Sequence, residues 1–236
     1  MDKYSSQGRE NLEILDGADN FTDWMYGEIK PFLRGNILEI GSGFGTYSKK
    51  IIRDFPKSNI ILSDVDDHYV GALKKKFGGR VSVLKINFER EEDFGNIGAP
   101  LDSVFALNVL EHVKDDVRAL ENIYRKLNPG GNLVILVPAH KFLFNRIDQE
   151  VNHYRRYNKK DLSDTISKTG FRVKRMFYFN FLSIFGWYWV GGVLKRNTVG
   201  GKSVALFDKL VPFLKFFEKY ILRKSLGISL IAVLEK

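Results

Sequence analysis

The stretch Ile37-Leu38-Glu39-Ile40-Gly41-Ser42-Gly43-Phe44-Gly45 constrains this chain more than any other. An apolar run of strand character enters three alternate glycines and then a segment of helical pattern. Glycine lets the backbone turn tightly and approach a ligand with no Cβ in the way. A dinucleotide fingerprint needs G-x-G-x-x-G, which seats a pyrophosphate on the next helix N-terminus. Here the third glycine arrives one residue early and Thr46 stands where the fingerprint has its last glycine. That spacing favours a ligand lying across the loop and disfavours a dehydrogenase.

The rest of the chain extends the same theme. Short apolar runs at Asn36–Ile40, Ile60–Asp64, Val81–Ile86, Ser103–Leu107 and Leu133–Val137 alternate with amphipathic segments, the signature of a parallel α/β sheet. The clearest helix runs from Asp115 to Leu127, with Val117, Leu120, Ile123 and Leu127 on one stripe and two aspartates at its start. It is expected to stop at the turn Asn128-Pro129-Gly130-Gly131. A helix near Asp161–Thr169 and strands near Phe171–Phe179 and Ile228–Leu234 complete the pattern. The expected fold is a doubly wound, Rossmann-like, seven-stranded sheet in a three-layer α/β/α sandwich. The whole chain reads as one domain, with residues 141–160 and 177–224 as substrate-side insertions.

Composition narrows the chemistry. The chain has no cysteine, which excludes disulfides, thiolate nucleophiles and cysteine-ligated metals. The start, MDKYSSQGRE, lacks the apolar stretch of a secretory signal, so a cytoplasmic location is expected. Net charge is +9, unevenly spread. Residues 151–236 hold 17 Lys/Arg against 5 Asp/Glu, whereas residues 1–150 hold 20 against 23. The basic third is either a solvated face or one that meets an anionic substrate, a membrane surface or nucleic acid.

Three further elements fall where a nucleotide site of this fold needs them. Asp64 ends the second strand, 19 residues after Gly45, close to the spacing at which an acid reads ribose hydroxyls. Its neighbours Asp66 and Asp67 suit the cap of the next helix. Asn87-Phe88 closes the third strand, where a polar side chain meets an adenine edge and an aromatic packs on its face. Leu107-Asn108-Val109-Leu110-Glu111-His112-Val113 follows the fourth strand. All lie at carboxyl ends of strands, the rim where open parallel sheets bind ligands.

On these motifs the chain resembles the class I S-adenosylmethionine-dependent methyltransferases of the small-molecule type, with specific matches over about residues 20–140. The resemblance implies an antiparallel last strand. It assigns Gly41, Ser42, Gly43 and Gly45 to the methionine part and ribose, Glu39 to the methionine ammonium, and Asp64 to the ribose hydroxyls. Val65 would pack on adenine and Asn108 would present its backbone to the methionine end. Asn87 stands where many relatives have an acid, which implies weaker contact with the adenine amino group. Phe21 and Trp24 resemble aromatic lids over the cofactor, with ordinary amphipathic packing as the alternative.

Methyl transfer from a sulfonium needs mainly alignment and exclusion of water. The four histidines show no H-x-x-x-H or H-E-x-x-H spacing, so no metal is expected. The acceptor-side cluster is Asp148…His153-Tyr154-Arg155-Arg156-Tyr157. His153 is the first choice of general base, with His112 second and His140 third. Tyr154, Arg155, Arg156 and Tyr157 would bind a polar or anionic acceptor. The alternative is a structural loop whose arginines pair with Asp148 and Glu150.

Met176–Leu194 has 19 residues without a charge, eight of them aromatic, flanked by Lys174-Arg175 and Lys195-Arg196. It reads as a membrane span, a lipid-facing surface, or a strand followed by a pocket helix. Ser203–Leu222 reads as a second aromatic amphipathic helix, kinked or begun afresh at Pro212. The expected acceptor is a small or lipid-linked molecule, with peripheral membrane contact through the basic aromatic third. Nucleic-acid methylation is disfavoured because no Asn/Asp-Pro-Pro-aromatic motif follows the fourth strand. A cofactor-binding regulator without transfer activity is the remaining alternative.

Overall fold

The computed structural model describes residues 17–194, 200–222 and 224–236. The amino-terminal MDKYSSQGRE and the flanking pair Lys195-Arg196 lie outside the described residues. Helix α1 (Asp19–Ile29) precedes strand β1 (Ile37–Ile40), followed by α2 (Ser48–Asp54), β2 (Ile60–Asp64), α3 (Asp67–Phe77), β3 (Ser82–Lys85) and β4 (Leu101–Leu107). Then come α4 (Asp116–Lys126), β5 (Leu127–Pro138), α5 (Arg146–Glu150), α6 (Lys159–Ile166), β6 (Arg172–Phe179), α7 (Ser183–Trp187), α8 (Gly201–Phe217) and β7 (Ser229–Glu235).

The strands form one sheet in the order β3-β2-β1-β4-β5-β7-β6. Neighbours from β3 to β5 pair in parallel, while β7 runs antiparallel to both β5 and β6. This is the doubly wound sheet expected from the alternating pattern. Its two faces follow from the two-residue period of a strand. Leu38, Ile40, Val104, Ala106 and Ile135 face α4 and α6, meeting Leu120, Ile123, Leu162 and Ile166. Ile37, Phe105, Val134, Leu136 and Ile231 face the other way, onto Trp24 and Ile29 of α1, Leu73 of α3 and Val211 of α8. Strand order reverses between β1 and β4, which pair in parallel from Ile37↔Ser103 to Ile40↔Ala106. A crevice at the carboxyl ends of strands is dictated there.

Helix caps are local. Asp66 accepts the His68 amide at 2.9 Å to start α3, and Asp115 accepts that of Arg118 at 3.0 Å to start α4. One expectation changes and two open readings narrow. Residues Asn128–Gly131, read as a turn, belong to β5: the chain leaves α4 directly into extended backbone. Gly130 takes φ +75°, its amide donates to the Lys236 carbonyl, and the Lys236 amide donates to Gly131. The carboxyl terminus of the chain thus holds this segment in the sheet. Second, α8 runs on through Pro212 without beginning afresh, and widens into a π-helical turn at Glu218–Leu222. Third, Met176–Leu194 takes the strand-then-helix alternative and is not a single span. It is the end of β6, a turn, α7 and a π-helical turn over Tyr188–Val193, and no described helix is long and apolar enough to cross a membrane.

Candidate active site

The crevice at the β1/β4 reversal is a cavity of about 280 Å³. It is lined by Glu39, Gly41, Ser42, Gly43, Asp64, Val65, Asn87, Phe88, Asn108 and His112, among others. Of the cofactor-side residues expected from sequence, only Gly45 stays off its wall. Gly45 sits at φ +83° behind the loop, where a Cβ would meet Phe77 at 2.6 Å. Gly41, at φ +73°, is closed in by Val109 in the same way. Gly43 differs: at φ +50°, a Cβ there would meet nothing within 4 Å. Gly45 and Gly41 serve packing, and Gly43 leaves room for a ligand.

Asp64 joins β2 to the loop. Its Oδ2 accepts the Gly43 amide at 3.0 Å and its Oδ1 the Asp66 amide at 3.0 Å. Glu39 is buried beneath the loop and accepts from the Ser48 hydroxyl at 2.5 Å. Burial pushes its carboxyl up to about 8, against the opposing hydrogen bonds of Ser48 and Ser42. Asn108 adopts φ +53° and its amide donates to Leu136 at 2.8 Å, which turns the chain into the cavity wall after β4. The Asn87 side-chain oxygen accepts the Glu89 amide at 3.1 Å, and its backbone amide donates to Asp93. Sequence reading missed Asp93, an acid six residues beyond Asn87 that the loop folds back beside it. Of the two expected lids, Phe21 lines the cavity. Trp24 does not: it is buried against Phe179, ring centroids 4.4 Å apart, as ordinary core.

The acceptor-side cluster is rearranged more deeply. His153 Nδ1 lies 2.8 Å from Asp148 Oδ1, and its ring meets His112 edge-on at 4.7 Å. It is His112, not His153, that lines the cavity. Arg156 is 3% exposed, bonded to Asp148 at 2.8 Å and to the Ala139 carbonyl at 3.1 Å, with Trp187 stacked over its guanidinium. Tyr157 is fully buried and donates to Asp116 at 2.9 Å, which with burial pushes its phenol far up. The acceptor-binding expectation for Arg156 and Tyr157 is therefore corrected: both are spent on internal partners. Arg155 reaches Asp116 at 3.0 Å and the Lys114 carbonyl at 2.7 Å, while Tyr154 is exposed beneath Lys114. His140 binds the Gly227 carbonyl at 3.0 Å and stacks on Tyr178, away from the cavity.

Two of the histidines that lack metal-ligand spacing along the chain nonetheless meet in the fold. Glu111, His112 and His153 come together with one ligand atom from each lying within 4.8 Å of the others. Glu111 is fully buried, neither of its oxygens has a hydrogen-bond partner from another described residue, and burial pushes its carboxyl up to about 7. No spacing rule could find this cluster, because the loop carrying His153 is folded back onto β4's exit by the Tyr154 amide, which donates to the Glu111 carbonyl at 2.9 Å.

Fold and rim together are similar to those of class I S-adenosylmethionine-dependent methyltransferases. Residues 38–133 match the family model described as methyltransferase domain. Over 162 residues the chain is 28% identical to malonyl-acyl-carrier-protein O-methyltransferase 1 of Ilyobacter polytropus, a match covering 66% of this chain and 59% of that protein. It is 30% identical over 111 residues to a lovastatin diketide synthase of Aspergillus terreus, 44% of this chain and 4% of that one. The chain thus spans well under two thirds of the length of these relatives. A solved S-adenosylmethionine-dependent methyltransferase from Mesorhizobium loti superposes with a TM-score of 0.60 at 13% identity, covering 94% of this chain and all (100%) of that one.

Proposed function

We propose that this chain transfers a methyl group from S-adenosylmethionine to an oxygen of a small or lipid-linked acceptor. The observation that carries the reading is the Gly43–Asp64 junction on the cavity wall, with His112 on the same wall. The site fits the cofactor on its own geometry. Gly43 leaves open space, Asp64 offers a carboxylate to a diol, and the buried Glu39 is a carboxylate whose charge a nearby cation would stabilise. S-adenosylmethionine, when bound, supplies a methyl already activated by positive sulfur.

The chain's own residues then have four tasks. Asp64 holds the ribose hydroxyls, with its orientation set by the Gly43 and Asp66 amides. Glu39 faces the ammonium end, Val65 and Phe88 close on the adenine, and the Asn108 turn shapes the methionine end. Phe21 and Met25 help keep water from the crevice. In the ion-free protein the His112 imidazole takes the proton released by an oxygen acceptor, with His153 and Asp148 as positioning residues behind it. An oxygen acceptor is supported by the relative named as an O-methyltransferase. The test is transfer of labelled methyl to a panel of carboxylate, phenol and lipid acceptors. Loss of at least tenfold in kcat for His112→Asn, with unchanged cofactor affinity, is expected. Cofactor binding without transfer to any acceptor class would favour a regulator.

A second reading concerns where the acceptor comes from. We propose that the α7–α8 face rests on an anionic membrane from the cytoplasmic side. Phe185, Tyr188 and Trp189 beside α7, and Phe213, Phe216 and Tyr220 along α8 and its last turn, are all more than half exposed. They belong to the third of the chain that carries 17 basic against 5 acidic residues. Exposed aromatics with surrounding Lys and Arg are the chemistry that inserts at an anionic lipid interface. Phe207 of α8 packs against Phe21 of the cavity wall at 5.6 Å, so this face adjoins the crevice mouth. Flotation with vesicles containing phosphatidylserine, but not with neutral vesicles, is expected. Charge reversal is not needed to test it: Trp189→Ser with Phe213→Ser should reduce flotation several-fold, and equal flotation would count against it.

A further inference from the structure

We infer that Glu111, His112 and His153 form a binding site for a divalent transition-metal ion of zinc type. Two imidazoles and one carboxylate, with one ligand atom from each lying within 4.8 Å of the others, are the donor set that such ions take in catalytic sites with an open fourth position. Bonds of 2.0–2.1 Å in a tetrahedron bring ligand atoms to about 3.4 Å of one another. Glu111 Oε1 and His153 Nε2 already stand 3.7 Å apart.

Four features point to an ion there. Glu111 is fully buried and its oxygens receive no hydrogen bond from any other described residue. Holding a carboxylate out of water in this way is strongly unfavourable unless a cation answers it. His153 has its other ring nitrogen on Asp148 at 2.8 Å, and Asp148 is itself fully buried and held by the Asn145 amide at 3.0 Å and by Arg156. A carboxylate behind an imidazole is the support that fixes a metal-binding tautomer and turns Nε2 towards the ion. The carboxylates around the cluster are Glu111 and Asp148, against the single guanidinium of Arg156. Lastly, His112 lines the cavity, so an open coordination position would give onto the acceptor side.

The consequence for chemistry rests on the transferase reading above, whereas the ion site itself does not. Held by these three residues, such an ion would supply a Lewis acid that makes an acceptor oxygen more acidic; the oxygen's lone pair would form the O–CH3 bond as the sulfonium S–CH3 bond breaks, its electron pair leaving with S-adenosylhomocysteine and the proton passing out to bulk water. The two imidazoles then serve as ligands and not as the base.

The test uses the full chain without an affinity tag, stripped with a chelator and titrated with Zn²⁺ by calorimetry and by metal analysis after gel filtration. One ion per chain and a raised Tm are expected. Glu111→Gln keeps the shape of the side chain and removes the buried charge, so the variant should fold. It should bind Zn²⁺ at least 100-fold more weakly and lose the Tm increment, and His153→Gln should do the same. Absence of saturable binding, or binding unchanged in Glu111→Gln, would overturn the site. S-adenosylhomocysteine titrated into the same samples reports separately on the cofactor reading, because none of its expected contacts involves Glu111.

Discussion

The Gly43 amide donates to Asp64 Oδ2 at 3.0 Å, which locks the loop after β1 to the acid that ends β2. Two substitutions in this loop should separate binding from stability. Gly45→Ala places a methyl 2.6 Å from the Phe77 ring at φ +83°, and should cost about 1–3 kcal/mol of stability. Gly43→Ala meets open space, so its cost should stay near 1 kcal/mol while cofactor affinity falls at least tenfold. Chemical denaturation beside ligand titration on both variants checks this. Equal stability losses with equal affinities would refute the division of roles.

Arg155 and Arg156 are neighbours with opposite fates. Arg156→Ala leaves Asp148 buried without its main cation, which should cost about 3–5 kcal/mol. Arg155, a third exposed and paired with Asp116, should cost under about 1 kcal/mol on the same change. Urea unfolding measures both. A stable Arg156→Ala protein with raised acceptor KM would restore the substrate-binding role to that residue.

Glu39 makes the stability of the ligand-free protein depend on pH. Its carboxyl ordinarily loses its proton near 4.5, and in the fold only near 8. Between those values the folded state holds more protons than the unfolded one, so stability falls as pH rises through that window. The slope from this one group is at most about 1.4 kcal/mol per pH unit. Glu39→Gln should flatten the decline from pH 5 to pH 8, read as Tm against pH. A profile unchanged by the substitution would show that Glu39 is ionised throughout.

Much of this was legible in the residues. Strands β1 to β4 stand within two residues of their apolar runs, and for β1, β2 and β4 the reason is burial on both faces, which favours continuous Ile, Leu and Val. The rim residues were legible for a related reason: each closes a strand of a parallel sheet, so strand order alone brings Gly43, Asp64 and Asn108 together. What failed depended on distant partners. Asn128–Gly131 reads as a turn until Lys236 pairs with it. Arg156 and Tyr157 look like ligand-binding residues until Asp148 and Asp116 take them into the interior. The Glu111–His112–His153 cluster joins segments about forty residues apart, and no local pattern encodes that meeting.

The central claim is that the crevice holds S-adenosylmethionine through Asp64 and the glycine loop. Calorimetric titration with S-adenosylhomocysteine, with NAD as a comparison, tests it most directly. Saturable binding of the sulfur ligand, no binding of NAD, and a loss of about 100-fold or more in Asp64→Ala are predicted, the last from two charge-assisted hydrogen bonds to the ribose. Folded protein that binds no sulfur ligand, or that binds it equally well without the Asp64 carboxylate, would contradict the account.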